Sequence, residues 1–307
     1  MSPSKILLFG EYTILLNSDA LSIPYYRFRG ELAFMDADTG MKRDDQIRSN
    51  QILKNLFSYT KSGLNKMKLK YAFDFETFEK DLDDGLYFRS DIQEESGLGS
   101  SGAVVAAVFD KYTDIRKADI DVMKIRECLA LFESFFHGTS SGIDPLVSYL
   151  QSPVIIKNEK ISTIPNLTIE VSLRKSGTFL VYCEKKGKTS ELVEIFKNRC
   201  NSDPEYLSKL KKEYIPVNNE CIRLLTNSYN TDSFFSAIRK ITLMQSEIFN
   251  EMIPEMLVPY ISYGLKNSLF YLKLSGSGGG GYFLGFTENT LKTESYFKEI
   301  GFQILIY

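Results

Sequence analysis

The stretch from Glu95 to Ala107, ESGLGSSGAVVAA, sets Gly97, Gly99 and Gly102 with Ser100 and Ser101 directly before an apolar run. That is the pattern of a tight turn feeding a helix N-terminus. The first turn of a helix leaves backbone N–H groups without intrahelical partners, and their dipoles point at whatever lies in front of them. An anion placed there is held by donors the helix cannot otherwise use. The two hydroxyls add donors for a phosphate oxygen or ligands for a hard cation. Taken alone, the loop fits a capped helix with nothing bound equally well.

Three further groups bear on that choice. Glu133 sits near the end of an apolar-striped segment, where it is either a solvated surface charge or an oxygen ligand. The run HGTSSGID, residues 137–144, follows; Asp144 stands before Pro145, as a helix N-cap or as a base on a constrained loop. Lys5 begins a short apolar run, either as a surface lysine or as a partner that keeps Asp144 ionised. A second glycine-rich stretch, SGSGGGGYF at 275–283, must bring its backbone close to something or adopt several positive φ values.

Together these pieces match what a nucleotide-dependent kinase requires: phosphate donors, a magnesium ligand, and a group that positions or deprotonates the acceptor hydroxyl. The loop amides with Ser100 and Ser101 answer the first need, Glu133 the second and Asp144 the third. The Walker pattern GxxxxGK[ST] does not occur. The spacing GxGxxG does occur at Gly97, Gly99 and Gly102. However, Asp91, Glu94 and Glu95 precede it in place of an apolar strand, which excludes a dinucleotide fingerprint.

The elements that must position these residues follow from periodicity. Strands are expected at Lys5–Phe9, Thr13–Leu16, Ala20–Ile23, Arg27–Met35, Leu69–Phe75 and Leu86–Arg89. Helices are expected at Asp44–Tyr59, Gly102–Lys111 and Ile120–Phe136, with Glu79–Asp84 a charged separator. Ser152 to Pro165 reads as the crossing between halves. Beyond it, strands near 167–173 and 178–183 lead to helices at Ser190–Lys197, Pro204–Glu213, Asn218 onward, Phe234–Met252 and Leu257–Tyr263. Strands at Leu269–Leu274, Phe283–Phe286 and Phe302–Tyr307, with a helix at Thr293–Ile300, close the chain and argue for an α+β fold.

A chain of 307 residues with net charge -2 has no bulk attraction for nucleic acid or an acidic membrane surface, so neither is expected as a partner. No apolar stretch is long enough to span a bilayer, no secretory leader is read, and Cys128, Cys183, Cys200 and Cys221 form no CxxC pair. The expectation is a cytoplasmic protein with reduced thiols. His137, the one histidine, excludes a His-cluster metal site.

At this level of detail the chain resembles the GHMP small-molecule kinases, in particular their mevalonate kinase branch. KILLFGEYTILL, Lys5 to Leu16, is similar to the family's first motif; SGLGSSGA, Ser96 to Ala103, to its phosphate-binding loop; and KLSGSGGGG, Lys273 to Gly281, to its C-terminal glycine motif. The most specific piece is ExxxHGxxSGxD, here Glu133, His137, Gly138, Ser141, Gly142 and Asp144.

The resemblance implies a GHMP kinase-like two-domain α+β fold. Residues 1–160 would form a ribosomal protein S5 domain 2-like N-terminal domain, and residues 161–307 a ferredoxin-like C-terminal domain. It implies ATP and Mg2+ as cofactors and mevalonate as acceptor, with phosphomevalonate, a sugar or a related small alcohol as the alternative; a non-catalytic ligand-binding relative is the third reading, against which Lys5, Glu133 and Asp144 together argue. Asp144 and Lys5 take the catalytic positions; Gly97, Leu98, Gly99, Ser100, Ser101 and Gly102 cradle the nucleotide phosphates. Glu133 with Ser101 or Ser100 holds the metal. Glu11, Tyr12, His137, Ser141, Gly276, Ser277 and Gly278 fall on the substrate side, His137 orienting the loop that carries Asp144. By analogy the expected assembly is a homodimer. The chain departs from the mevalonate kinase pattern at Ser4, Tyr12, Gly102 and Ser140; Tyr12 and Gly102 are common in phosphomevalonate kinases.

Overall fold

In a computed structural model, residues 1–35, 41–64, 73–115, 121–158, 160–165, 167, 177–183, 189–227 and 230–306 are described. The first half is an antiparallel sheet backed by helices. β1 (Ser2–Phe9) pairs with β2 (Ala20–Phe34), which is long enough to pair also with β3 (Leu86–Ser90) and β4 (Val154–Lys157); β5 (Lys160–Thr163) closes the edge beyond β4. β5 straddles the domain boundary expected at 160/161. The two strands expected between Ala20 and Met35 are one strand that runs through Pro24, opposite Lys5.

α1 (Arg43–Leu64), α2 (Phe75–Asp83), α3 (Ser100–Tyr112), α4 (Val122–His137) and α5 (Ile143–Leu150) cover this sheet. Leu53, Leu56, Phe78, Val108, Phe109, Ile125, Leu129, Phe132 and Leu146 are buried together there. The charged stretch expected to separate two strands belongs instead to α2. Asp74 caps it by accepting from the Thr77 amide at 2.9 Å, and Phe78 and Leu82, one turn apart, bury one face. Of the strand expected at Leu69–Phe75, residues 69–72 lie outside the described residues.

The second half is a sheet in the order β7-β8-β6-β9, all antiparallel, from β6 (Gly177–Cys183), β7 (Tyr271–Lys273), β8 (Gly281–Thr287) and β9 (Ile304–Ile306). Its helices are α6 (Thr189–Ser202), α7 (Pro204–Lys209), α8 (Ile215–Thr226), α9 (Thr231–Ile248), α10 (Val258–Asn267) and α11 (Thr290–Glu299). A π-helical turn, Leu210–Tyr214, joins α7 to α8 without a break, so the helix expected to begin near Asn218 starts earlier. Of the strand expected near 167–173, residues 168–173 lie outside the described residues. Among the described residues no helix is long and apolar enough to cross a membrane.

The halves share one core. Ile6, Leu8, Phe9 and Leu21 from the first are buried in the same cluster as Phe179, Phe196, Phe249, Leu272 and Phe286 from the second. The turn at Gly10–Tyr12 lies at this seam. Thr13–Leu16, expected as a strand, is a 3-10 turn. Left-handed φ values at Tyr12 (58°) and Asn17 (64°) bracket it, and the Ile14 amide returns to the Gly10 carbonyl at 3.1 Å, which leaves no room for extended backbone.

Candidate active site

The glycine loop enters α3 through Gly97 and Gly99, both left-handed at φ 82° and 76°. Gly99 is the N-cap and offers no side chain, and among the described residues the amides at the start of α3 have no side-chain cap. A Cβ on Gly99 would lie 2.8 Å from Lys5 Cγ, so the lysine passes directly beneath the loop. The Lys5 amide donates to the Leu98 carbonyl at 2.9 Å, which fixes the loop to β1. The Leu98 side chain is buried in the core cluster and anchors the loop there.

Lys5, itself buried, ends at Asp144: Nζ and Oδ2 are 2.9 Å apart. Asp144 is not the N-cap of α5. Gly142 takes that place at φ 74°, which leaves Asp144 in the first turn with its carboxylate partly open to solvent. α3 and α5 approach closely at this point, since a Cβ on Gly102 would sit 2.9 Å from the Asp144 carbonyl carbon. The departure to glycine at 102 therefore has a steric reason.

Glu133 is 4% exposed, not on a wet face. Ser101 Oγ donates to its Oε1 at 3.4 Å and Ser140 Oγ donates to its Oε2. Burial first, and the Asp144 charge second, push its carboxyl up to about 8. Of the two candidate serines, Ser101 lies beside Glu133, and it also meets His137 Nε2 at 3.0 Å. The His137 ring is exposed and bonded to Ser101. Ser141 Oγ accepts from the Ile143 amide at 3.3 Å, a local cap on the loop before α5.

The expected substrate residues of the first motif lie deeper than expected. Glu11 is sealed in an ion pair with Lys273 in which both side chains are fully buried, so it presents no group to a cleft. Burial raises the Glu11 carboxyl and lowers the Lys273 ammonium from their ordinary values. Tyr12 is buried against Phe196 and Phe249 and donates to the Ser277 carbonyl. The second glycine loop packs on the first: a Cβ on Gly97 would lie 3.0 Å from the Ser275 carbonyl, and the Tyr282 amide donates to the Ser96 carbonyl at 2.9 Å. Gly278 is closed off by the Met252 carbonyl, whereas a Cβ on Gly276 would meet nothing within 4 Å among the described residues.

Two residues of this cluster lie outside the expected set. Ser140 bridges Glu133 and the Gly142 amide, at 2.9 Å from the latter. Lys273 has a sequence signal, a single cation inside the apolar run Leu269–Leu274. Of the basic residues that could serve a phosphorylated acceptor, Arg29 is exposed and its Nε is held by the Tyr26 carbonyl at 2.7 Å. Arg27 is exposed on β2, and Lys66 and Lys68 lie outside the described residues.

An uncapped helix N-terminus, a Lys–Asp pair and a buried carboxylate thus converge between two glycine loops. Residues 58–152 match the family model described as GHMP kinases N terminal domain, and the chain as a whole has the GHMP kinase fold. In sequence it is similar to mevalonate kinases. It is 20% identical over 293 residues to the mevalonate kinase of Pyrococcus horikoshii, covering 91% of this chain and 85% of that protein. The L. major mevalonate kinase solved in complex with R-mevalonate superposes with TM-score 0.66 at 15% identity, over 100% of this chain and 94% of that one. The Streptococcus pneumoniae phosphomevalonate kinase, solved with phosphomevalonate and AMPPNP, superposes with TM-score 0.62 at 15% identity, over 100% and 98%.

Proposed function

We propose that this chain is an ATP-dependent kinase that transfers the γ-phosphate to the primary hydroxyl of mevalonate. The observation that carries the reading is the Lys5–Asp144 pair at 2.9 Å, set beside the uncapped N-terminus of α3. The amides of the 97–102 loop hold the triphosphate by the helix-terminus field. Asp144 orients the acceptor hydroxyl and takes its proton as the hydroxyl oxygen bonds to the γ-phosphorus. The bond from that phosphorus to the β,γ-bridging oxygen breaks and ADP leaves. Lys5 pairs with the Asp144 carboxylate and offsets the negative charge that gathers during the transfer.

A magnesium ion fits the residues present. Glu133 is a buried carboxylate whose only direct partners among the described residues are hydroxyls, and Asp144 adds a second negative charge nearby. Glu133 and Ser101 would hold the ion, which neutralises phosphate charge when bound. A cytoplasmic location and a homodimeric assembly accompany this reading by analogy.

The second reading keeps the machinery and changes the acceptor to phosphomevalonate. Tyr12 favours it, because a residue common in phosphomevalonate kinases here contacts the second glycine loop. Coupled ADP release measured over mevalonate, phosphomevalonate, homoserine and galactose separates the two. The expected result is the highest kcat/KM for mevalonate; a higher value for phosphomevalonate overturns the assignment in favour of the second reading.

A further inference from the structure

We infer that Glu11 and Lys273 are positioning residues: their buried ion pair holds the second glycine loop, 275–281, in place against the phosphate-binding loop. The pair joins the β1 turn of the first half to the last residue of β7 in the second, 262 residues away along the chain. Both side chains are fully buried. Lys273 Nζ also donates to the Leu274 carbonyl at 2.6 Å and lies 5.4 Å from the centre of the Phe9 ring. The ammonium therefore sets the backbone at the point where the chain leaves the strand and enters the loop.

Further bonds continue the strap. Tyr12, next to Glu11, donates to the Ser277 carbonyl. The Leu274 amide donates to Gln245 Oε1 at 2.8 Å, and the Gly279 amide to the Met252 carbonyl at 2.7 Å. On the other side of the seam the Gly10 amide donates to Asn218 Oδ1 at 2.9 Å. The same turn thus grips the second half on both flanks. The strand before this turn carries Lys5, whose charge makes a small favourable contribution at the Glu11 carboxylate beside the larger one of Lys273, both set against the cost of burial. Charges alternate from Asp144 to Lys5 to Glu11 to Lys273.

A buried ion pair is weak evidence for stability, since a well-packed apolar pair of similar volume is often equally stable. Among the described residues Glu11 Oε2, which is buried, has no hydrogen-bond partner. What an apolar pair does not supply is direction. The Glu11 carboxylate and the Leu274 carbonyl together fix one position for Nζ, and with it the start of the loop. Because Gly97 and Gly281 leave no room for a Cβ against Ser275 and Ser96, a small displacement of 275–281 is passed directly to the phosphate-binding loop.

The test separates positioning from mere support. The single variant K273M leaves the Glu11 carboxylate buried without its partner and should lower Tm; the double variant E11L/K273M should restore most of that loss. If the pair positions the loop, peptides covering 275–282 in the double variant still exchange amide hydrogens about tenfold faster than in the parent. Its KM for ATP also rises about tenfold, while Tm stays near the parental value. Parental exchange and parental KM in a double variant with restored Tm would reduce the pair to structural support and overturn the inference.

Y12F provides a second arm that leaves the aromatic packing in place. Faster exchange at 277–279 with little change in Tm is expected, and unchanged exchange there counts against the strap. The kinetic arm rests on the kinase reading and the exchange arm does not. A parent without turnover on any acceptor would therefore sink the proposed function while leaving the positioning inference to stand or fall on exchange.

Discussion

Replacement of Asp144 by Asn removes the charge and the proton acceptor while keeping the side-chain size. General-base contributions are typically about 10²–10⁴-fold, so kcat should fall by that factor, or about 3–5 kcal/mol in barrier height. The structural cost is smaller. Lys5 loses its partner, but the Asp144 side chain is 36% exposed, so solvent screens the pair and about 1 kcal/mol of stability is the expected loss. In a chain of this size that lowers Tm by only about 1–2 °C. The α3 amides and the glycine loop are untouched, so ATP affinity should stay within about threefold of the parent. The assay is coupled ADP release at saturating ATP and acceptor, with calorimetric titration of the nucleotide alongside. Turnover within tenfold of the parent would refute the base or orienting role. A hundredfold loss of ATP affinity at normal turnover would place Asp144 in nucleotide binding instead.

Four further outcomes follow from the same structure. G99A forces a Cβ into left-handed backbone at φ 76° and to 2.8 Å from Lys5 Cγ; a destabilisation of about 1–3 kcal/mol and at least tenfold higher KM for ATP are expected from thermal melting and initial rates. Glu133, with its carboxyl pushed up to about 8, holds a proton at pH 6.5 that magnesium must displace. Titrating magnesium-nucleotide in buffers of different ionisation heat should show about one proton released at pH 6.5 and none at pH 9 or in E133Q. The sign also sets stability: the folded state binds the extra proton, so the metal-free protein should lose stability as pH rises from about 5 through 8, by chemical unfolding at each pH. Burial pushes the Cys128 thiol up to about 11 and the Cys221 thiol up to about 12, whereas Cys200 is only half-buried. Brief alkylation at pH 8 followed by mass mapping should find Cys200 modified first; prior labelling of Cys128 or Cys221 would contradict the packing.

Sequence pattern located the glycine loops and helices α3 and α4 well, because chain punctuation and apolar periodicity are local properties. The depth of Glu133 was also open to reading: it stands four residues after Leu129 and eight after Ile125, on the buried stripe of α4. The burial of Glu11 was not, since it depends on Lys273 arriving from the other half of the chain. Thr13–Leu16 reads as strand by apolar content alone; the left-handed backbone at Tyr12, which no residue type announces, turns it into a 3-10 helix. α2 was obscured by its charges, although Asp74, Phe78 and Leu82 carry the cap and one buried face. The choice of Ser101 over Ser100 beside Glu133 depends on helix phase at the start of α3, which the loop sequence does not specify.

The proposed activity is tested most directly by the product itself. The purified chain is incubated with mevalonate, ATP and magnesium, and the acceptor is then examined by mass and phosphorus spectroscopy. The proposal requires a gain of one phosphate on the primary hydroxyl, matched one for one by ADP and lost in D144N. Unmodified mevalonate, beside phosphorylation of another acceptor under the same conditions, would contradict it.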